Sequence, residues 1–247
     1  GPEFDYAQAV LDGDAEYGTG DAALLNLAKA GKHVVVLAQI FQRSPLVFLA
    51  LKESRIQNPF DMTGKRVSIE TLAQTNGPLE GMLKNTLGGS SKVEILKQSV
   101  TLQDLIDGKV DVISAYLTDQ PFQLLRKGIG FNIIDPSNYG VDMYGDNLFT
   151  TWAELEEHPD RVERMLRATI KGWHYALDHP EEIIAAVRKH CAPDADPEWL
   201  AFEARTTASL IMPDIVPLGT VDRGRYRNFA RHQMQLGVFA DDTIPHE

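Results

Sequence analysis

One cysteine in 247 residues, Cys191, excludes an intrachain disulfide framework and any multi-cysteine zinc site. Long hydrophobic runs are missing too. The most continuous apolar stretches, Val34–Leu37 and Leu46–Leu51, fall far short of the ~20 residues a membrane-spanning helix needs. Basic residues are scarce: 24 Lys+Arg stand against 35 Asp+Glu, a formal charge of -11, which argues against a nucleic-acid partner. Catalytic motifs are absent as well. There is no G-x-S-x-G elbow and no H-E-x-x-H pair, and Gly88-Gly89-Ser90-Ser91-Lys92 lacks the spacing of a phosphate-binding glycine loop. His158, His174, His179 and His190 have no histidine or carboxylate partner in a recognisable ligand pattern, and Cys191 has no flanking activation motif. Neither a metal, nor a cofactor, nor enzymatic activity is expected.

What remains is ordinary globular composition, 43% hydrophobic and 24% charged, in a chain long enough for one large domain or two lobes. Gly1-Pro2-Glu3-Phe4 reads as a tag remnant and cloning scar, outside fold reasoning. From residue 6 to about 152, short helical patterns alternate with short β-rich runs. Strands are expected at Ala15–Gly18, His33–Ile40, Leu46–Leu51, Arg66–Ile69, Val93–Lys97, Asp111–Ala115 and Phe131–Ile134. Helices are expected at Ala7–Leu11, Ala22–Ala30, Leu79–Leu87, Leu102–Ile106 and Pro121–Lys127. Such alternation predicts parallel sheets with right-handed crossovers. From Glu154 the pattern is helical only: Pro159–Leu177, Pro180–His190, Pro197–Leu210 and Arg223–Gln235.

An internal echo organises the first part. Val10-Leu11-Asp12-Gly13 and Leu105-Ile106-Asp107-Gly108 both read as a helix end with an Asp-Gly turn, each followed by a strand and then small and polar residues. The echo predicts two similar α/β lobes, each presenting a polar loop at the carboxyl edge of its sheet, where open α/β sheets bind ligands.

The candidate binding residues lie in those loops. Gly18-Thr19-Gly20-Asp21 fits a loose dinucleotide pattern, but no carboxylate follows about 20 positions on, so the dinucleotide reading falls away. Glycines and free helix-start amides there would instead receive a carboxylate or other anion. Asp21 is an N-cap, a ligand contact, or both. Thr75-Asn76-Gly77-Pro78 precedes a helix, with capping and ligand contact equally open. Tyr116, Thr118 and Asp119 close a strand, with Asp119 either a counter-charge to a ligand amine or an ordinary cap. Tyr144, Asp146 and Asn147 lie at a hinge-like handover between the two rhythms.

Asp61-Met62-Thr63-Gly64-Lys65-Arg66-Val67 closely resembles the signature opening the second lobe of periplasmic solute-binding proteins of the NMT1/THI5-like group. Phe41-Gln42-Arg43-Ser44-Pro45, Ala115–Pro121, Tyr144–Thr150 and Gly172–Pro180 extend the resemblance along nearly the whole chain. This set is most similar to relatives serving as extracytoplasmic sensor domains of histidine kinases or of cyclic-di-GMP GGDEF/EAL proteins. The resemblance implies an α/β, two-lobed Venus-flytrap fold of the type 2 periplasmic-binding class. Lobe one would comprise 5–51 plus 150–247 and lobe two 52–149, with Gln42 and Ser44 joining the ligand contacts. It also implies that the first βαβ unit of lobe one is missing before Ala7–Leu11. The exposed strand edge would then invite a homodimer, with swapped elements, and weaken ligand binding.

The expected function is therefore periplasmic sensing of a small polar metabolite closed between two lobes. An arginine-like amino acid or amine is the first choice of ligand, and the membrane anchor would lie outside this sequence. The alternative is a substrate-binding protein of an ABC transporter for a thiamine pyrimidine precursor or related small molecule.

Overall fold

The computed structural model describes residues 5–21, 24–25, 27, 32, 34–69, 77–88, 92–96 and 100–235. They divide into two compact units: unit 1 holds the described residues up to Ser44 together with Tyr144–Arg223, and unit 2 holds Pro45–Met143 with the described residues from Gly224.

In unit 1, α1 (Tyr6–Leu11) is capped by Asp5, whose Oδ1 accepts from the amides of Ala7 at 3.1 Å and Gln8 at 2.9 Å. Three strands follow in a fully antiparallel sheet of order β1-β8-β2: β1 (Tyr17–Gly20), β2 (Val34–Gln39) and β8 (Asn147–Thr151). Val34–Leu37 of β2 is only half-buried, although it reads as a core strand, because β2 stands at the edge of a narrow sheet. Phe149, central in β8 and fully buried, packs with Ala7, Val10 and Leu24 and meets the Tyr6 ring edge-to-face at 6.3 Å. The helices α5 (Trp152–Glu157), α6 (Pro159–Asp178), α7 (Pro180–His190) and α8 (Pro197–Ile211) complete the unit. Proline at the first turn opens α6, α7 and α8, where its missing N–H costs no helical bond.

Unit 2 is built on a five-stranded mixed sheet of order β5-β4-β6-β3-β7. Its strands are β3 (Leu46–Leu51), β4 (Arg66–Ser68), β5 (Glu94–Leu96), β6 (Val112–Tyr116) and β7 (Phe131–Ile134). Its helices are α2 (Gly77–Leu87), α3 (Leu102–Ile106), α4 (Gln120–Arg126) and α9 (Arg223–Gln235), the last beginning one residue before the unit boundary. Val47 and Leu49 pack with Leu105, Val110 and Leu124, while Phe48 and Ala50 on the opposite face are equally buried. A strand covered on both faces needs an unbroken apolar run, which is what Leu46–Leu51 supplies.

The wholly parallel expectation fails for both sheets. Only β4 runs parallel to β5 and β6, whereas β3 is antiparallel to β6 and β7 and the sheet of unit 1 is antiparallel throughout. Parallel neighbours require a crossover packed on their own sheet, but β8 reaches its sheet from unit 2 through residues 135–146. The lobe boundaries shift for the same reason. Leu46–Leu51 hydrogen-bonds β6 and β7 and so belongs to unit 2, and Asn147–Phe149 lies between β1 and β2 in unit 1.

The echoed Asp-Gly turns are the same physical device. After α1, Gly13 takes φ +81° while its amide donates to Val10 O at 3.3 Å and the Asp14 amide donates to Ala9 O at 2.9 Å. After α3, Gly108 takes φ +69° while its amide donates to Leu105 O at 3.2 Å and the Lys109 amide donates to Asp104 O at 2.9 Å. Both are left-handed helix caps, the conformation glycine adopts without a Cβ penalty, and both turn the chain into the strand that carries a candidate loop.

Candidate functional site

Antiparallel pairing sets Gly20 of β1 and Gln39 of β2 opposite Asn147, the first residue of β8. One edge of the unit 1 sheet therefore gathers Gly20 and Asp21, the turn at 39–42, and the segment 144–147. Hydrogen bonds lock these pieces together. The Asp146 carbonyl accepts from the amides of Ile40 at 3.0 Å and Phe41 at 2.9 Å, and the Gly145 amide donates to Phe41 O at 3.1 Å. Asn147 Nδ2 donates to Asp21 O at 3.4 Å. Phe41 stacks edge-on against Trp173 of α6 at 6.1 Å, which seats the turn on the helical layer.

A third segment joins this frame. Gln39 donates its amide hydrogen to Gly219 O at 3.3 Å, Gln42 Nε2 donates to Thr220 O at 3.1 Å, and the Asp222 amide donates to the Tyr144 hydroxyl at 3.2 Å.

The chemical character of the edge comes from two carboxyls. Part of Asp146 meets solvent, yet the protein packed around its carboxyl strips hydration and pushes the pKa up to about 6, with the Asp21 charge adding repulsion. A pair of this kind holds excess negative potential and gains from a ligand that brings hydrogen-bond donors or positive charge.

Unit 2 has its own candidate edge. The parallel strands β4 and β6 end there at Ser68 and Tyr116, and Leu46 of β3 pairs with Tyr116. Tyr116 is 36% exposed, and its amide donates to Gln120 Oε1 at 2.7 Å. Thr118 and Asp119 are half-buried in the turn before α4, and Gly77 is the first residue of α2. Thr75 and Asn76 lie outside the described residues, as does most of the expected helix Ala22–Ala30.

Several sequence expectations change with the geometry. The β1 glycines make room for neighbouring side chains rather than open backbone for a ligand. A Cβ at Gly18 would lie 2.5 Å from Phe149 Cε1, and one at Gly20 would meet Leu24 at 3.1 Å and Tyr6 at 3.2 Å. Thr19 is the exposed residue of that run. Gln42 and Tyr144 are buried, with the polar groups just described bonded inside unit 1, and Ser44 is the last residue of that unit's first segment. Asp119 is neither a side-chain cap of α4 nor an isolated counter-charge: its carboxylate accepts from Gln120 Nε2 at 3.0 Å and Gln123 Nε2 at 2.9 Å. Asn147 is fully buried in the centre of the sheet. One residue escaped sequence reasoning altogether. Gln39 carries no motif, and only its polarity at the end of an apolar strand marked it.

Among the described residues no cluster of three or more His, Cys, Asp or Glu side chains is placed to hold a metal ion, and no helix is long and apolar enough to cross a membrane.

Comparison with known proteins puts this geometry in context. The formylaminopyrimidine-binding protein of Halalkalibacterium halodurans is 26% identical over 164 residues, covering 64% of this chain and 49% of that protein. The riboflavin-binding protein RibY of Chloroflexus aurantiacus is 21% identical over 168 residues, 66% of this chain and 47% of that protein. The chain thus spans about half the length of the curated relatives it matches. Among solved structures, the alkanesulfonate-binding protein SsuA of Xanthomonas axonopodis pv. citri superposes with a TM-score of 0.70 at 13% identity, over 97% of this chain and 80% of that one. The desulfurization enzyme DSZB superposes at 0.62 and 13% identity, over 92% of this chain and 81% of that one, so the fold alone also hosts catalysis. The fold is that of the periplasmic binding proteins. The two curated relatives carry the names of binding proteins, not of kinase-coupled or cyclic-di-GMP-coupled sensors. A family profile described as NMT1/THI5 like matches residues 1–183, and the chain belongs to that family.

Proposed function

We propose that this chain is a non-catalytic, extracytoplasmic solute-binding module, of the kind that delivers a small molecule to an ABC-type importer, and that its ligand is an amino-substituted pyrimidine. The Asp21–Asp146 pair carries the choice of ligand. Exocyclic amino groups donate hydrogen bonds to carboxylates, whereas a sulfonate brought to the same edge would meet repulsion. The names of the two curated relatives, one binding a formylaminopyrimidine and the other riboflavin, support a nitrogen heterocycle. Thr19 is the proposed further contact in unit 1, and Gly77, Tyr116, Thr118 and Asp119 are the proposed ligand-facing residues on the edge of unit 2, taken by itself. The same acidic pair favours a protonated amine, so an arginine-like ligand is the second reading.

Calorimetry at pH 7.5 with 4-amino-2-methylpyrimidine, riboflavin, L-arginine and an alkanesulfonate tests this directly. The aminopyrimidine should bind, and Asp146→Asn or Asp21→Asn should weaken it by about tenfold or more, the effect of losing one charge-assisted hydrogen bond worth ~1.5–3 kcal/mol. Preference for arginine over the pyrimidine would select the second reading. Preference for the sulfonate, or indifference to both Asp variants, would overturn the acidic-site assignment.

A further inference from the structure

Resting on the solute-binding reading above, we propose that Gln39 is a positioning residue for the Asp21–Asp146 pair: its side-chain amide fixes the turn that carries Asp146 and thereby sets the affinity of the site for donor ligands.

Gln39 ends β2 at 0% exposure, between the buried Ala38 and Ile40. An amide at such a place is costly unless its hydrogens are used, and an aliphatic side chain would satisfy the packing alone. Here the hydrogens are fully used. Gln39 Nε2 donates to Phe41 O at 3.0 Å, Gly145 O at 3.0 Å and Asp146 O at 2.9 Å, three acceptors sharing two N–H groups.

The Asp146 carbonyl thus receives the Gln39 amide in addition to the backbone amides of Ile40 and Phe41, so among the described residues its donors come from 39–41. Among the described residues no hydrogen bond reaches the Asp146 carboxyl itself. The peptide of the residue is pinned while its charged group is left for a ligand, the arrangement a preorganised site requires. The neighbouring Gly145 carbonyl is held by the same Nε2, so the grip covers two consecutive peptides.

A structural role alone would make Gln39 matter for stability and not for the site, and the experiment separates the two. Gln39→Met removes the donor at similar volume, Gln39→Asn withdraws it by one methylene, and Val162→Ala in α6 serves as a core control. Each protein is followed by carboxyl 13C NMR titration of Asp146 and by calorimetry with 4-amino-2-methylpyrimidine. In Gln39→Met the Asp146 titration midpoint should fall by about one unit as the loosened turn hydrates the carboxyl. Binding of the probe should weaken by roughly tenfold, with Gln39→Asn intermediate. Val162→Ala should lower the melting temperature and leave both readouts in place. An unchanged midpoint and affinity in folded Gln39→Met would overturn the proposal. Failure of both Gln39 variants to fold would also overturn it, by making the residue a determinant of stability. If Asp146→Asn and Asp21→Asn bind the probe normally, the acidic-site reading has failed and the NMR midpoint alone judges Gln39. If they lose binding while Gln39→Met keeps it, only the positioning role has failed.

Discussion

Replacing Asp146 with asparagine should make the protein more stable at neutral pH, and the gain should vanish in acid. The native carboxyl titrates at about 6 rather than at the ordinary 3.8, chiefly because burial disfavours its charged form and secondarily because Asp21 repels it. A group whose folded pKa is raised binds its proton more tightly in the native state than in the unfolded chain. Below pH 3.8 both states are protonated and the group is neutral in its effect. As pH climbs toward 6 the unfolded chain releases its proton first, so stability falls through that window and stays lower above it. At 1.36 kcal/mol per unit the shift has a ceiling of about 3 kcal/mol. Because part of the residue meets water, solvent screening brings the expected cost down to about 1 kcal/mol. Asparagine keeps the size and never ionises, so it removes that cost. Urea unfolding of wild type and Asp146→Asn from pH 4 to 8 checks this directly. The difference in unfolding free energy should be near zero at pH 4 and reach about 1 kcal/mol in favour of the variant by pH 7. A difference independent of pH, or one favouring wild type above pH 6, would refute the burial account.

Two further perturbations test the frame around this edge. Gly18→Ala would set a methyl 2.5 Å from the Phe149 ring and should cost about 1–3 kcal/mol in chemical denaturation; pairing it with Phe149→Leu should recover part of that loss, whereas strict additivity would mean the ring is not the obstacle. Tyr17 donates to Glu154 Oε1 at 2.9 Å and Arg161 Nε donates to the same oxygen at 2.7 Å; the Arg161 guanidinium, foremost, holds the Glu154 carboxyl below its ordinary range. Stability from that depressed carboxyl is present above the unfolded pKa and lost as pH falls, the opposite sense to Asp146. Arg161→Met should therefore flatten the acid limb of the stability curve, and Tyr17→Phe should cost about 1 kcal/mol at pH 7; an unaltered acid limb in Arg161→Met melts would contradict the assignment.

The sequence was informative where local geometry limits the residue choices. The Asp-Gly helix ends were legible because a left-handed cap is strained for any side chain, and the Leu46–Leu51 strand because both its faces are covered. Pairing across long sequence separations was not legible. Asn147-Leu148-Phe149-Thr150-Thr151 reads as a polar, aromatic loop, yet it is the central strand of unit 1. Its polar side chains reach partners distant in sequence, such as Glu16 O, which accepts from Thr150 Oγ1 at 2.6 Å. The site followed the same division. Segments 18–21 and 144–147 drew notice by their composition and lie at one edge of the unit 1 sheet, but the space around Gly18 is set by a ring 131 positions away in the chain. Gln39 was overlooked because a lone glutamine has no spacing to recognise.

The turn at 39–42 and the segments 144–147 and 219–222 are joined by hydrogen bonds between main-chain amides and carbonyls, together with the side chains of Gln39, Gln42 and Tyr144. Such a frame places little demand on the identity of most residues it holds. Exchanges at solvent-facing positions can recast the chemistry presented to a ligand while the carbonyl and amide partners remain the same. That tolerance gives a material basis for divergence. Substitution on such a frame can alter its exposed face without first having to rebuild its joints.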